Sequence, residues 1–270
     1  MKIIASMTTY NESLFVDYVL SSICDFVDEI IITDTAIKDV VDWGGSPHST
    51  DGTIEIIKLW QKKCEKIHLL LPEVKPKTFA ELCMPGLEMA KKLKGDWLMT
   101  SCGDEVWPTN VISPLRNFLH NCDNNGILGV NFTMNYFAPD FWHCKDFYGP
   151  RLSKITDDAC MPFVTGDVLS WPRLGVWQSM ELDKVPERVR KVNIDYPKFL
   201  KIFHYSCVGH DRVKFKYEFY KKHKDNIGSD HNVRYINKDW KFFADSGYRE
   251  FAGNHPKIML EHKLYNERLF

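Results

Sequence analysis

The stretch GDWLMTSCGDE, residues 95–105, decides how the rest of the chain is interpreted. Residues 97–101 form a short apolar run of β-strand type, and two carboxylates, Asp104 and Glu105, follow it closely. Ligands of open α/β sheets bind at the carboxyl ends of the strands, so we expect this acidic pair to face a ligand, with metal-assisted transfer as the first hypothesis. The alternative is an acidic turn before Pro108, which opens the next helix.

Length, composition and charge limit the possible classes of protein. The chain has 270 residues, of which 44% are hydrophobic, enough for one large α/β domain or one domain with a smaller appendage. The formal net charge of -1 argues against a general nucleic-acid binder, which would normally carry a clear basic excess.

The cysteines and the apolar segments predict the compartment. The 8 cysteines show no CxxC pair and no zinc-ligand spacing, which favours free thiols in a reducing compartment. The apolar start is too short for a signal peptide, and no run of about 18 apolar residues occurs. We therefore expect a cytoplasmic protein.

Strand-type and helix-type patterns alternate through the first half of the chain. The predicted strands are residues 2–7, 27–33, 67–71, 97–101 and 127–132, and the predicted helices are residues 12–24, 53–63, 79–93 and 112–120. Strands separated by single helices imply a largely parallel sheet that is covered on both faces. Neither GxGxxG nor GxxxxGK[ST] is present, which excludes a dinucleotide-binding fingerprint and a P-loop.

Polar motifs stand instead at the strand ends. TTYNE (residues 8–12) follows the first strand, Asp34 closes the second, and STDGT (residues 49–53) opens a helix after an inserted loop. Together with GDW and the strand that ends in DE, these motifs resemble family 2 glycosyltransferases of the GT-A fold. The resemblance covers residues 1–110 and extends loosely to FHYS at residues 203–206.

The resemblance implies an α/β fold of GT-A type: a Rossmann-like, mostly parallel central sheet, helices on both faces and a mixed C-terminal acceptor-side region. Residues 1–134 would form the half that binds a nucleotide sugar, residues 135–210 the region that completes the sheet and receives the acceptor, and residues 211–270 a helical or irregular extension. Residues 211–224 carry lysines and aromatics at helical spacing. This pattern predicts a solvated face or a peripheral contact with a membrane or an anionic acceptor.

The family's donor contacts map onto the first two strand ends. Thr8, Tyr10, Glu12 and Asp34 resemble the residues that contact the base and ribose of the nucleotide sugar, a UDP- or GDP-sugar. The alternatives are ordinary packing at the strand end for Thr8 and Tyr10, and the cap of a turn for Asp34.

The resemblance also implies a divalent cation, Mg²⁺ or Mn²⁺. Asp104 matches the second aspartate of the DxD motif, and His204 resembles a histidine that some members use as a further ligand, although a lone histidine is also common in a core. An imidazole ligand would favour Mn²⁺. Cys102 stands where the first DxD aspartate is expected, and its thiol is a poor ligand for a hard cation.

Inverting transfer needs a base for the acceptor hydroxyl. Glu181 resembles that base in position, and Asp167, Asp157 and Asp158 are competing candidates; the alternative for all four is a surface loop. The leading hypothesis is a metal-dependent inverting glycosyltransferase that acts on a glycan, lipid-linked or surface-polysaccharide acceptor. An inactive sugar-nucleotide or glycan-binding module and a sugar-phosphate nucleotidylyltransferase remain as alternatives.

Overall fold

The computed structural model describes residues 1–77, 79–155, 163–165, 168–173, 176–181, 193–209, 211–215 and 247–267. For residues 79–80, 163–165, 168–173, 176–181 and 193, only the backbone is described.

The first half is built from alternating strands and helices, as predicted. The strands are β1 (Ile3–Thr9), β2 (Glu29–Asp34), β3 (Ile67–Leu70) and β4 (Trp97–Cys102). The helices are α1 (Val16–Ile23), α2 (Lys38–Asp42), α3 (Thr53–Lys63) and α4 (Phe79–Lys92). Only α2 has no counterpart in the prediction, since it lies inside the inserted loop.

These four strands form the parallel half of the central sheet, in the order β3-β2-β1-β4. Thr9 is level with Asp34 on one side, and Thr8 is level with Cys102 on the other. The carboxyl ends of β2, β1 and β4 therefore meet at one edge of the sheet, where the sequence predicted a ligand site.

The second half departs from the predicted pattern. It begins with β5 (Glu105–Val106), α5 (Thr109–Ile112), α6 (Leu115–Asn124), β6 (Gly129–Phe137) and β7 (His143–Lys154). It continues with β8 (Phe163–Thr165), β9 (Val168–Arg173), β10 (Val176–Glu181), β11 (Asn193–Asp195), β12 (Ile202–His204), β13 (Arg249–Glu250) and the 3-10 helix Lys257–Glu261.

Two predictions for this half were wrong in detail. The helix expected at residues 112–120 is two helices, α5 and α6, because the chain breaks at Pro114. The strand expected to end at residue 132 continues to Phe137 as β6, and the unpredicted β7 lies between β4 and β6, antiparallel to both. β6 also pairs with β12, which continues the order as β4-β7-β6-β12-β5.

Both faces of the parallel half are buried. On β1, Ile3, Ala5 and Met7 point into the larger core, which also holds the apolar side of α1. Ile4 points the opposite way, into a smaller core with Leu87 of α4. The α/β class with helices on both faces is thereby confirmed. No helix in the described ranges is long and apolar enough to cross a membrane.

Helix α4 approaches β1 closely through Gly86. A Cβ atom at Gly86 would stand 2.1 Å from Oγ and 3.2 Å from Cβ of Ser6, a residue that is 4% exposed. Any side chain at position 86 therefore has to push the helix away from the sheet or displace Ser6.

We expect Gly86→Ala to lower the free energy of unfolding by about 1–3 kcal/mol, the usual range for overpacking. Helix propensity alone would stabilise the alanine variant by up to about 1 kcal/mol, so the sign of the change is diagnostic. Denaturant unfolding measures it. Glu88→Ala, an exposed change in the same helix, is the control and should stay within about 0.5 kcal/mol of wild type. A stabilised Gly86→Ala variant would show that the helix and sheet do not touch here.

Candidate functional site

A cavity of about 460 Å³ opens at the carboxyl ends of β1 and β4. Five of the residues predicted for the donor and the metal line it: Thr8, Tyr10, Glu12, Asp104 and His204. The volume lies in the range of small-molecule sites. The level ends of β1 and β4 explain why motifs about 90 residues apart in the chain meet here.

Asp34 lies behind the wall of this cavity. It is 0% exposed, and its carboxylate accepts hydrogen bonds from Thr9 Oγ1 at 3.0 Å and from the Ser49 backbone N–H at 2.9 Å. These are the contacts of a residue that ties the end of the inserted loop to β1. A direct contact of Asp34 with ribose remains a prediction.

The TTYNE and STDGT motifs bind each other. The Asn11 backbone N–H donates to Ser49 Oγ at 2.7 Å, and the Glu12 backbone N–H donates to Thr53 Oγ1 at 2.8 Å. The Asn11 side chain in turn accepts from the Thr50 backbone N–H at 2.9 Å. Each loop thus supplies hydrogen-bond acceptors for the other, which fixes Tyr10 and Glu12 at the cavity.

Arg212 joins two of the predicted site residues. Its Nη2 donates to Asp104 Oδ2 at 2.8 Å and to Glu12 Oε1 at 3.1 Å, and its Nε donates to the Ser206 carbonyl at 3.3 Å. The side chains of Arg212, Glu12 and Asp104 are 11%, 13% and 3% exposed. Burial disfavours the charged guanidinium, but the two carboxylates outweigh it and raise the pKa of Arg212. Arg212 is therefore held as a cation between the two carboxyl groups.

Arg212 was not predicted as a site residue from the sequence. It was grouped with the other cations of residues 211–224, of which only residues 211–215 are described. No local signal separates Arg212 from the neighbouring lysines, because its partners are about 110 and 200 residues away.

Glu105 faces away from the ligand side, contrary to our expectation for the acidic pair. It is 0% exposed and accepts from Arg151 Nε at 3.0 Å and from Arg151 Nη2 at 2.6 Å. β7 reaches this point through a bulge, in which Val130 and Asn131 pair with Leu152 and Pro150. Arg151 is the extra residue, and the bulge aims it at the cavity and Glu105.

Asp104 and His204 have the geometry of a two-residue cation site. His204 Nε2 and Asp104 Oδ1 are 3.2 Å apart, and two adjacent ligands at about 2.1 Å from a cation would be separated by about 3 Å. His204 Nδ1 lies 3.6 Å from Glu105 Oε1, which is too far for a hydrogen bond, and this nitrogen is buried without a hydrogen-bond partner in the described part of the chain. Without a cation, the contact between His204 Nε2 and Asp104 Oδ1 is an ion pair when His204 is protonated.

The described residues contain no group of three or more histidine, cysteine, aspartate or glutamate side chains that could hold a metal ion. A cation bound here would therefore take its other ligands from substrate oxygens and water, as Mg²⁺ commonly does. Cys102 lines the same cavity, where burial and then Glu105 and Asp104 raise the pKa of its thiol well above the usual value. A neutral thiol does not replace the missing aspartate as a ligand.

The predicted catalytic carboxylates fall largely outside the described residues. Glu181 is the last residue of β10, in a small sheet formed by β8, β9 and β10, but its side chain is not described. Asp167, Asp157 and Asp158 lie outside the described ranges. Their roles remain predictions.

No family of known sequences matches this chain, and no curated protein is significantly similar to it. Among solved structures it is similar to residues 1–349 of TarS from S. aureus, with 16% identity and a TM-score of 0.39 over 51% of this chain and 37% of that one. It is also similar to glucosyl-3-phosphoglycerate synthase from Mycobacterium tuberculosis, solved in complex with Mn²⁺, UDP and glucosyl-3-phosphoglycerate. The identity is 20% and the TM-score is 0.35, over 51% of this chain and 44% of that one.

Mannose-1-phosphate geranyltransferase from Thermus thermophilus gives 10% identity and a TM-score of 0.34 over 91% of this chain and 68% of that one. The chain spans less than half the length of the TarS fragment and of the synthase. The function of this chain is therefore inferred from the cavity and the residues that line it.

We expect Arg212→Met to lower the free energy of unfolding by about 3–5 kcal/mol, because Glu12 and Asp104 would stay buried while losing the counter-charge that Arg212 supplies. Urea unfolding at neutral pH measures the loss. The matched control is Arg249→Met, which breaks an ion pair with Asp146 whose side chains are 52% and 50% exposed. That variant should lose no more than about 1 kcal/mol. Equal losses in the two variants would contradict a buried, ionised Arg212.

Proposed function

We propose that this protein is a metal-dependent glycosyltransferase of GT-A type, which transfers a sugar from a UDP- or GDP-sugar to a hydroxyl of a glycan, lipid-linked or surface-polysaccharide acceptor with inversion. The observation that carries the proposal is the convergence of Thr8, Tyr10, Glu12, Asp104 and His204 on one cavity at the strand ends. The family resemblance assigns residues of TTYNE to the donor and Asp104 to the metal, and these residues line the same cavity.

The cavity offers separate surroundings for the two parts of a nucleotide diphosphate. Ala36, Ile37 and Val40, from the inserted loop and α2, give it an apolar wall, and Tyr10 Oη donates to the Ser46 carbonyl at 3.0 Å. A flat base fits such a wall, while the diphosphate belongs beside Asp104 and His204. The insertion therefore serves as part of the donor site.

The charges around Asp104 favour a bound cation. Among the described residues, Glu12, Asp104 and Glu105 provide three carboxyl groups, whereas Arg151 and Arg212 provide two guanidinium groups. Asp104 and His204 would hold Mn²⁺ or Mg²⁺, and the cation would neutralise charge on the leaving diphosphate. Mn²⁺ suits the imidazole better.

In the proposed reaction, the acceptor displaces the nucleoside diphosphate in line at the anomeric carbon of the sugar. The acceptor oxygen forms a bond to the anomeric carbon as the bond from that carbon to the diphosphate oxygen breaks, and the acceptor proton passes to a carboxylate. We propose Glu181 as that base, with Asp167 as the competing candidate.

Cys102 favours one second candidate, a sugar-nucleotide-binding module without catalysis, because the first DxD carboxylate is absent. Turnover separates the two functions. A donor that binds with metal but is neither hydrolysed nor transferred across a broad acceptor panel would support the module.

The direct test is a thermal-shift screen of UDP- and GDP-sugars with and without Mn²⁺. A donor at about 100 times its Kd should stabilise wild type by about 2.7 kcal/mol, and Mn²⁺ should increase the shift. In Asp104→Asn, and separately in His204→Gln, we expect the Mn²⁺-dependent part of the shift to disappear. Asp146→Asn, which changes an exposed carboxylate that does not line the cavity, is the control. Full Mn²⁺ stimulation in Asp104→Asn would eliminate the proposed metal site.

For Glu181→Gln we expect nearly unchanged donor binding and a fall in kcat of about 10²-fold or more, the scale for loss of a general base. Steady-state transfer assays with the donor found in the screen measure both parameters. Glu55→Gln, an exposed change on α3, provides the comparison. If turnover of Glu181→Gln stays at the wild-type level, the role moves to Asp167, Asp157 or Asp158.

A further inference from the structure

A second cavity, of about 330 Å³, lies on the other face of β12 from the donor cavity. Successive residues of a strand point to opposite faces, so His204 lines the donor cavity while Phe203 lines the second one. Asn135 of β6 is level with Phe203 and lines it too. The two cavities are therefore separate sites that share one strand.

Asn135 is a buried amide at the wall of this cavity. The residue is 5% exposed and lines the cavity, and its amide is not one of the described buried groups that lack a hydrogen-bond partner. An asparagine amide has two N–H donors and an oxygen with two lone pairs, which a polar ligand in the cavity would pair with. Asn110 and Asn254 add two further amides to the wall. The cavity thus presents several hydrogen-bonding groups for a polar ligand.

Aromatic rings provide the apolar part of the wall. Phe251 packs edge-on against Phe203, with ring centroids 5.8 Å apart, and a Cβ at Gly253 would stand 2.7 Å from Cζ of Phe251. The glycine therefore lets the backbone lie directly against the ring and fixes its position. Phe199 lines the same cavity and is 80% exposed, so most of its ring is open to a ligand.

The charged and titratable groups on the wall are neutralised. Lys201 Nζ donates to Asp146 Oδ1 at 2.8 Å. His255 donates from Nε2 to the Phe141 carbonyl and accepts at Nδ1 from Tyr205 Oη, each at 2.8 Å, and burial lowers the pKa of this imidazole to about 4. The imidazole is therefore neutral near pH 7. A phosphate, carboxylate or nucleotide would find no unpaired cation among the described lining residues.

We propose that this second cavity binds an uncharged sugar residue at a site distinct from the donor cavity. A pyranose carries apolar C–H groups on its faces and hydroxyls around its edge. The faces match the rings of Phe199 and Phe251, and the hydroxyls match the amides of Asn110, Asn135 and Asn254. A purely apolar ligand would leave the amide of Asn135, the buried one of the three, without a partner in the ligand. The bound unit is a non-reacting part of a glycan, or a free sugar.

The test uses the full chain without nucleotide or metal. Saturation-transfer NMR and calorimetry would screen the methyl β-glycosides of glucose, galactose and N-acetylglucosamine, together with cellobiose, lactose and chitobiose, at millimolar concentration. We expect at least one of these probes to bind, and we expect Phe199→Ala and Asn135→Leu each to weaken binding by about tenfold. If a disaccharide binds more tightly than its monosaccharide, the ligand of the cavity is part of a glycan. If the two bind equally, the ligand is a free sugar.

Val74→Ala is the matched control for Phe199→Ala, since Val74 is 84% exposed and lines neither cavity. Asn135→Leu keeps the side-chain size, and circular dichroism and thermal unfolding would establish that it folds. Absence of binding across the panel would overturn the proposal. Binding that both variants leave unchanged, or that a sugar nucleotide displaces competitively, would also overturn it. These outcomes leave the donor-site proposal untouched, because that proposal is tested with nucleotide and Asp104 variants.

Discussion

The guanidinium of Arg212 is the interaction on which the candidate site depends. It holds Glu12, from the loop after β1, and Asp104, from the turn after β4, within hydrogen-bonding distance of one group. Two carboxylates that are 13% and 3% exposed would otherwise repel each other across a poorly solvated gap. The ion triplet costs desolvation energy, which a hydrophobic replacement would avoid. Its presence at a cavity, and not in the core, indicates that the carboxylates themselves are needed.

The two carboxylate oxygens of Asp104 face different partners. Oδ2 accepts from Arg212, while Oδ1 faces His204 Nε2 at 3.2 Å. Glu105, bound by Arg151, stands behind the other nitrogen of His204. The imidazole thus lies between two carboxylates that each accept hydrogen bonds from an arginine. For the cation site that we propose, fixing Asp104 in advance would reduce the conformational entropy lost on binding.

Local patterns predicted the parts of the fold that depend on local physics. Helix α3 begins and ends where its cap residues and periodicity indicate, and the strand that ends at Cys102 follows from its apolar run. Strand β7 was missed because it lacks alternation and contains Gly149 and Pro150, which a bulge accommodates. The positions of Thr8, Tyr10, Glu12 and Asp104 at one cavity were predictable, since parallel strands align their ends, whereas His204 was predicted only from the family resemblance. The roles of Arg151 and Arg212 were not, since tertiary pairing selects them from many similar cations.

Cys102 changes the electrostatics of the site more than its shape. An aspartate at this position would bring a further carboxylate close to Asp104 and Glu105, where the field already opposes thiolate formation. The two arginines would then face four carboxylates instead of three, and the apo site would hold a divalent cation more strongly. With a neutral thiol, the described part of the site has three carboxyl groups and two arginines, and Asp104 and His204 alone would bind a bare cation weakly. In the function proposed above, diphosphate oxygens would supply the missing charge and ligands. Metal and donor should therefore bind this chain cooperatively, each weakly alone and both more tightly together.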